Sequence, residues 1–303
     1  MDYSPFNFMI ILFSSFCFFA NAFFVFCMFF PQQRTGQLKQ PLKVLLGTLL
    51  GSTITLHLCI LICAVMTVFQ SFVYYFIVIQ MALFTMRASI TSSLWLNFFY
   101  FCQIVPATCS FLICLKRNTR CFIYSALVAD KIFFLFGFST GITCSVVCGN
   151  DYCENYFNTT YGQFNETQNA KMDTLKIVSD VDIWLRCGYL LLCLCVMLTS
   201  NCVTILYLQK HMKRIEGHRF SPVKRQMRVT ITGIIQTFLS FICFVWFLVD
   251  EISPQYADLY SYIYAIIGYF YSLGTTINLC VGQTIFRRRV VGVYQKCLQT
   301  LAF

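Results

Sequence analysis

The sequence predicts an all-α membrane protein: one bundle of seven transmembrane helices, with the amino terminus outside and the carboxyl terminus inside. Three observations predict it. Hydrophobic residues make up 58% of the chain and charged residues only 11%, against roughly a quarter charged in an ordinary soluble domain. Seven segments are long and apolar enough to cross a bilayer, whose hydrocarbon core of about 30 Å takes about 20 helical residues. The Lys and Arg residues gather in alternate connections, and that sorting marks the cytoplasmic side.

The first span covers residues 6–30, and Met1 to Asn7 carry no Lys or Arg. A secretory leader would begin with positive charge, so this helix is expected to stay as an anchor. Residues 34–43 form an inner connection and 44–69 the second span. The apolar stretch 71–83 reads as an outer connection lying on the bilayer, and 84–115 as the third span. The pair Asp130 and Lys131 interrupts the next apolar run; placing it at the inner interface sets the fourth span at 132–148.

Residues 149–182 form the one long outer connection, followed by spans at 183–208, 229–249 and 259–286 and an inner tail at 287–303. Asn158-Thr159-Thr160 and Asn165-Glu166-Thr167 are acceptors for N-linked glycans, which are added only on the lumenal side. The inner connections hold Arg34, Lys39 and Lys43, then Lys116, Arg117, Arg120 and Lys131, then Lys210, Lys213, Arg214, Arg219, Lys224, Arg225 and Arg228. The tail adds Arg287, Arg288, Arg289 and Lys296, and only Arg87, Lys171, Lys176 and Arg186 fall elsewhere. The net charge of +10 is thus spread along one membrane face. The partner it implies is the lipid bilayer of a multi-pass plasma-membrane protein, not nucleic acid.

Eighteen Cys would signal a disulfide scaffold in a small secreted chain, but most lie inside apolar segments, where thiols behave as small hydrophobes. Cys59 and Cys63 have no further ligand at metal-site spacing, so no metal is expected. Cys148 and Cys153 face the oxidising side as a local bridge or as two free thiols. Cys121 and Cys297 beside inner basic residues are palmitoylation candidates or ordinary interfacial thiols. There is no phosphate-cradling glycine loop, no His-Glu-x-x-His motif, and three His in all, which excludes the common catalytic constellations and a cofactor. A retinal protein would need a lysine between residues 259 and 286, and there is none.

Seven spans with a basic inner face fit a receptor that signals to a heterotrimeric G protein. The third span reads Trp95-Leu96-Asn97-Phe98-Phe99-Tyr100-Phe101-Cys102-Gln103-Ile104 and continues to Phe111-Leu112-Ile113-Cys114-Leu115-Lys116-Arg117. This resembles, without a gap, the third helix of the bitter taste receptors, the type 2 taste receptor family of G protein-coupled receptors. Asn21 stands where that family carries an Asn in its first helix, and Leu208-Gln209-Lys210-His211 is similar to its Leu-Trp-Lys-His signature. Ser221-Pro222 and Arg225-Gln226-Met227-Arg228 continue the likeness. In the last span Tyr271-Ser272-Leu273-Gly274-Thr275 and Gly282-Gln283-Thr284-Ile285-Phe286-Arg287 match only by substitution.

The resemblance implies a small-molecule site in the outer half of the bundle and coupling to a gustducin-type, inhibitory-class G protein. The family's ligand-contacting Trp falls on Thr91, while Trp95 lies one turn deeper; residues four apart share a helical face, so Trp95 is expected to point into the same cavity. The family's acidic residue for amines falls on Ala265, so cationic ligands are not favoured. Expected ligand contacts are Thr91, Trp95, Asn97 and Phe98, then Trp184, Phe244, Trp246, Phe247 and Tyr264. Arg186 is read as an interfacial anchor. Lys116, Arg117, His211, Lys213, Arg214, Lys224 and Arg225 are expected to face the G protein. A pheromone-type chemosensory receptor and a secondary transporter are the alternative readings, and a homo- or hetero-oligomer is compatible with each.

Overall fold

The computed structural model of the protein describes residues 4–30, 40–69, 72–106, 110–158, 166–214, 220–252 and 257–301. Among these the chain forms helices and no strand. They are α1 (Ser4–Phe29), α2 (Leu42–Phe69), α3 (Phe72–Ile104), α4 (Ser110–Arg117), α5 (Thr119–Asn158), α6 (Glu166–Arg214), α7 (Phe220–Ile252), α8 (Ala257–Gly282) and α9 (Thr284–Leu301). Six of them, α1, α2, α3, α5, α6 and α7, carry stretches long and apolar enough to cross a membrane. In α8 the apolar stretch Ile266–Gly282 is shorter. The bundle is arranged around α3, which packs on α2, α5, α6 and α7, while α8 closes the ring between α7 and α1.

Polarity runs opposite to that of a water-soluble domain. Ser14, Asn21, Thr53, His57, Ser89, Ser240, Ser272 and Thr275 are buried, whereas Phe16, Phe19, Leu206 and Phe238 are exposed. Such an outside suits lipid. Between lipid and core there is no hydrophobic difference to drive helices together, so close packing and interhelical hydrogen bonds must do it. Two close approaches make the point. A Cβ on Gly282 would lie 2.9 Å from Thr232 Oγ1 and 3.3 Å from its Cβ, and one on Gly233 would lie 2.8 Å from Asn97 Oδ1 and from Asn201 Oδ1.

One apolar cluster fills the basic end, joining Phe24 and Met28 of α1, Leu45 to Leu50 of α2, Phe99 of α3, Ile123 of α5 and Phe286 of α9. Phe24 and Phe286 stack at 4.7 Å. A second cluster lies toward the opposite end, with Leu56, Met86, Ile90, Phe134, Leu190, Phe244, Phe247 and Tyr271.

The helices depart from the expected segments in five places. The stretch 71–83 is not a surface connection: α3 starts at Phe72, since no Pro or Gly interrupts the run. The same helix ends at Ile104 rather than 115, because Pro106 disfavours helix at the residue before it and cannot donate to the ladder. Residues 110–117 form the separate α4. Asp130 and Lys131 do not begin a helix: α5 starts at Thr119 and carries both well inside it. Most of 149–182 is helical too, in the extensions of α5 and α6; hydropathy delimits the lipid-crossing part of a helix and not the helix itself. Residues 284–301 of the expected tail form α9.

Candidate functional site

Thr91 and Trp95 share a face of α3, as their spacing requires, but that face looks toward α5 and α6. The Trp95 indole Nε1 donates to Asp130 Oδ2 at 2.6 Å, and its ring packs edge-on against Phe98 and Phe122. The Tyr189 hydroxyl donates to the other oxygen, Asp130 Oδ1. Asp130 is 3% exposed, so one carboxyl group ties three helices together. The one polar atom of Trp95 is thus held on the α5 side. Thr91 is buried beside it, its hydroxyl donating to the Arg87 and Ala88 carbonyls.

Further toward the acidic connections the same flank holds a second charged tie. Arg186 Nη2 lies 2.9 Å from Asp182 Oδ2, and both side chains are buried. The Thr140 hydroxyl donates to that carboxylate oxygen at 3.0 Å, and Arg186 Nη1 donates to the Gly137 carbonyl at 3.3 Å. Arg186 is therefore not an interfacial anchor. Trp184, two residues earlier, is 67% exposed. It shares that outward face with Val181 and Leu185.

The opposite flank, where α3 meets α7 and α8, is tied by neutral groups. The Tyr271 hydroxyl donates to Ser89 Oγ at 3.0 Å. Gln236 Nε2 donates to Thr275 Oγ1 at 3.0 Å and reaches the Tyr271 hydroxyl at 3.4 Å. Asn278 Nδ2 donates to Gln236 Oε1 at 3.1 Å and to the Thr232 carbonyl at 2.7 Å. Nearer the basic end Gln283 Nε2 donates to the Tyr100 hydroxyl at 2.8 Å. Two further links brace α8 from behind: His57 Nε2 and Ser272 Oγ at 2.6 Å, and Asn21 Nδ2 to Thr276 Oγ1 at 2.8 Å.

Of the expected ligand contacts, Phe244 and Phe247 are buried on the inner face of α7, packed with Met86, Ile90 and Tyr271. The Arg87 guanidinium lies over the Phe247 ring at 5.2 Å. Trp246 is half-buried on the next face of the same helix. Asn97 is buried lower down and lines a small cavity of about 20 Å³ with Ser93, Tyr100, Gln236, Asn278 and Gln283; Phe98 turns toward Phe122 of α5. These two belong to the basic half and not with Phe244. The side chain of Tyr264 lies outside the described residues.

At the basic end Lys116, Arg117 and Lys213 are exposed, and His211 is half-buried against Tyr207. The side chains of Arg214, Lys224, Arg225, Asn158, Cys148 and Cys153, and all of Asn165, lie outside the described residues. Among the described residues no group of three or more His, Cys, Asp or Glu is placed to hold a metal ion. The residues that sequence reading missed are Asp130, Tyr189, Gln236 and Arg87. Each is polar inside an apolar run, and a buried ionisable group in a span is costly enough to mark a working position.

No curated protein matches the chain. The model of one family does match: taste receptor protein (TAS2R), over residues 3–298. That match takes in every described helix from α1 through α8 and most of α9, and the chain belongs to the taste receptor protein (TAS2R) family.

Proposed function

We propose that the chain is a bitter taste receptor of the plasma membrane, with its amino terminus outside and its basic end in the cytoplasm. It binds small bitter or toxic environmental molecules in the outer half of the bundle and activates a gustducin-type, inhibitory-class G protein. One observation carries this reading. Tyr271 belongs both to the aromatic cluster with Phe244 and Phe247 and, through its hydroxyl, to the polar chain running by Gln236 to Asn278. A molecule that repacks the cluster therefore acts directly on the hydrogen bonds between α3, α7 and α8.

In this reading the ligand sits against Phe244, Trp246, Phe247 and Tyr264, with Arg87 at the edge of the wall. Thr91 and Trp95 support that wall from behind through Asp130. A ligand favours the signalling state only by its differential affinity, and a tenfold preference supplies about 1.4 kcal/mol. Neutral hydrogen bonds of about 1 kcal/mol each are of the size such a ligand can exchange. His211, Lys213, Arg214, Lys224 and Arg225, at the basic ends of α6 and α7, form the surface offered to the G protein. Glycans on Asn158 or Asn165 fit the same orientation.

The test is intracellular calcium in cells expressing the chain with a gustducin-chimera G protein, across structurally unrelated bitter compounds. Responses to several compounds, each weakened by Phe247→Ala at unchanged surface level, support the reading. Substrate flux in vesicles lacking any G protein, with no agonist-stimulated nucleotide exchange, would replace it with a transporter.

A further inference from the structure

A cleft of about 670 Å³ opens at the basic end between α2, α3, α4 and α5. Phe99, Cys102 and Gln103 of α3 form its floor, and Lys116, Arg117 and Arg120 its charged wall. Gln40, in the turn before α2, also lines the cleft and accepts from the Tyr124 hydroxyl of α5 at 3.1 Å. Among the described residues three cations and no carboxylate line the cleft. Lys116 and Arg117 sit in the last turn of α4, where the helix dipole favours a cation, and Arg120 follows on the next helix. Arg120 sits in the first turn of α5, a turn without acidic residues, where the helix dipole is already positive and a cation is disfavoured. An anion in the cleft relieves that.

Position and lining narrow the anion. Both α2 and α5 pack on α3, so the cleft lies on the lateral flank of the bundle. Phe99 and Cys102 are on a different face of α3 from Asn97 and Tyr100, which look toward α7 and α8. The cleft therefore lies on the far side of α3 from the gap between α6 and α7, and Lys116 and Arg117, which the family resemblance would turn to a G protein, line the cleft instead. A charged wall over a buried apolar floor suits an amphiphile whose polar head carries several negative charges.

We infer that this cleft is a binding site for the phosphorylated headgroup of an anionic lipid of the phosphoinositide class. Lys116, Arg117 and Arg120 take the phosphates, and Phe99 and Cys102 pack against the glycerol end. The inference rests on the proposed function only for its orientation, which puts this cleft in the cytoplasmic leaflet. Its test does not need that orientation, because a nanodisc presents both faces.

The full chain is purified into phosphatidylcholine nanodiscs doped with phosphatidylinositol bisphosphate, and lipid retention is read by native mass spectrometry. The triple variant Lys116→Gln, Arg117→Gln, Arg120→Gln is compared with an equal loss of charge at Arg287, Arg288 and Arg289. At about a factor of five per basic residue, the cleft variant loses lipid affinity on the order of a hundredfold and the tail variant much less. Arg120→Gln alone, an exposed change that leaves packing intact, loses about fivefold. Equal losses in the two triple variants would overturn the site in favour of a diffuse basic surface. Full lipid retention with lost nucleotide exchange would overturn it in favour of a G protein contact. Soluble inositol trisphosphate binding as tightly as the lipid would reassign the cleft to a free phosphate ester.

Discussion

The two flanks of α3 are both polar inside, yet they are tied by different chemistry. Toward α5 and α6 the ties are charged: Asp130 with Trp95 and Tyr189, and Asp182 with Arg186. Toward α7 and α8 the hydrogen bonds join neutral groups, Ser89, Tyr271, Gln236, Thr275 and Asn278, and the Arg87 guanidinium adds a cation–π contact with Phe247. A carboxylate buried away from water cannot lose its partners cheaply, because each hydrogen bond to a charged group contributes about 1.5–3 kcal/mol and a stranded charge costs more. An amide or hydroxyl that loses one neutral partner for another changes little. The contrast assigns roles: the charged flank holds α3, α5 and α6 as one fixed body, and the neutral flank is where α7 and α8 can shift against it.

The largest effect should come from Asp130→Ala, which leaves the Trp95 indole and the Tyr189 hydroxyl buried without an acceptor. At least two charge-assisted bonds go, so surface receptor on intact cells should fall by more than about tenfold, measured by flow cytometry on an epitope tag. Asp130→Asn keeps one acceptor oxygen and should recover part of that loss. If Asp130→Ala reached the surface normally, the charged flank would not be the fixed one.

Next in size is the ion pair of α6. Arg186→Ala strands a buried Asp182 and should cost about 3–5 kcal/mol, seen as a fall in the melting temperature of purified receptor. Removing both charges as Asp182→Leu with Arg186→Met should be milder than the single change, since an apolar pair of similar volume carries no desolvation penalty. The order of these two variants is the measurement.

On the neutral flank Gln236→Leu removes the donor to Thr275 and the acceptor for Asn278. Surface level should stay near normal while agonist potency or basal nucleotide exchange shifts about tenfold, the equivalent of one or two neutral hydrogen bonds. The smallest effect belongs to Trp184→Ala on the lipid-exposed face of α6, expected within about 0.5 kcal/mol in stability and without effect on potency. A loss of potency there would return Trp184 to the ligand wall.

How much of this was legible in the sequence depends on what lipid does to a helix. Seven apolar runs and the sorted charges were readable because every span must satisfy its own backbone and avoid stray charge. The faces were not. In a soluble helix the apolar side looks inward, but here lipid is as apolar as the core, so the pattern says little about which side a Trp takes. The sides that Trp95 and Trp184 take were unreadable for that reason. The burial of Asp130 was not readable either: Trp95 and Tyr189 satisfy it from two other helices, and contacts 35 and 59 residues apart leave no local signature. Pro106, by contrast, did carry its own signal for the end of α3.

The division of labour between the flanks is tested most directly by agonist-stimulated guanine-nucleotide exchange normalised to surface receptor, in Gln236→Leu and Asp130→Asn side by side. The account predicts that Gln236→Leu changes exchange per receptor by about tenfold at near-normal surface level, while Asp130→Asn lowers the number of receptors and leaves exchange per receptor unchanged. The reverse pattern, with Asp130→Asn altering signalling per receptor and Gln236→Leu altering only abundance, would contradict it.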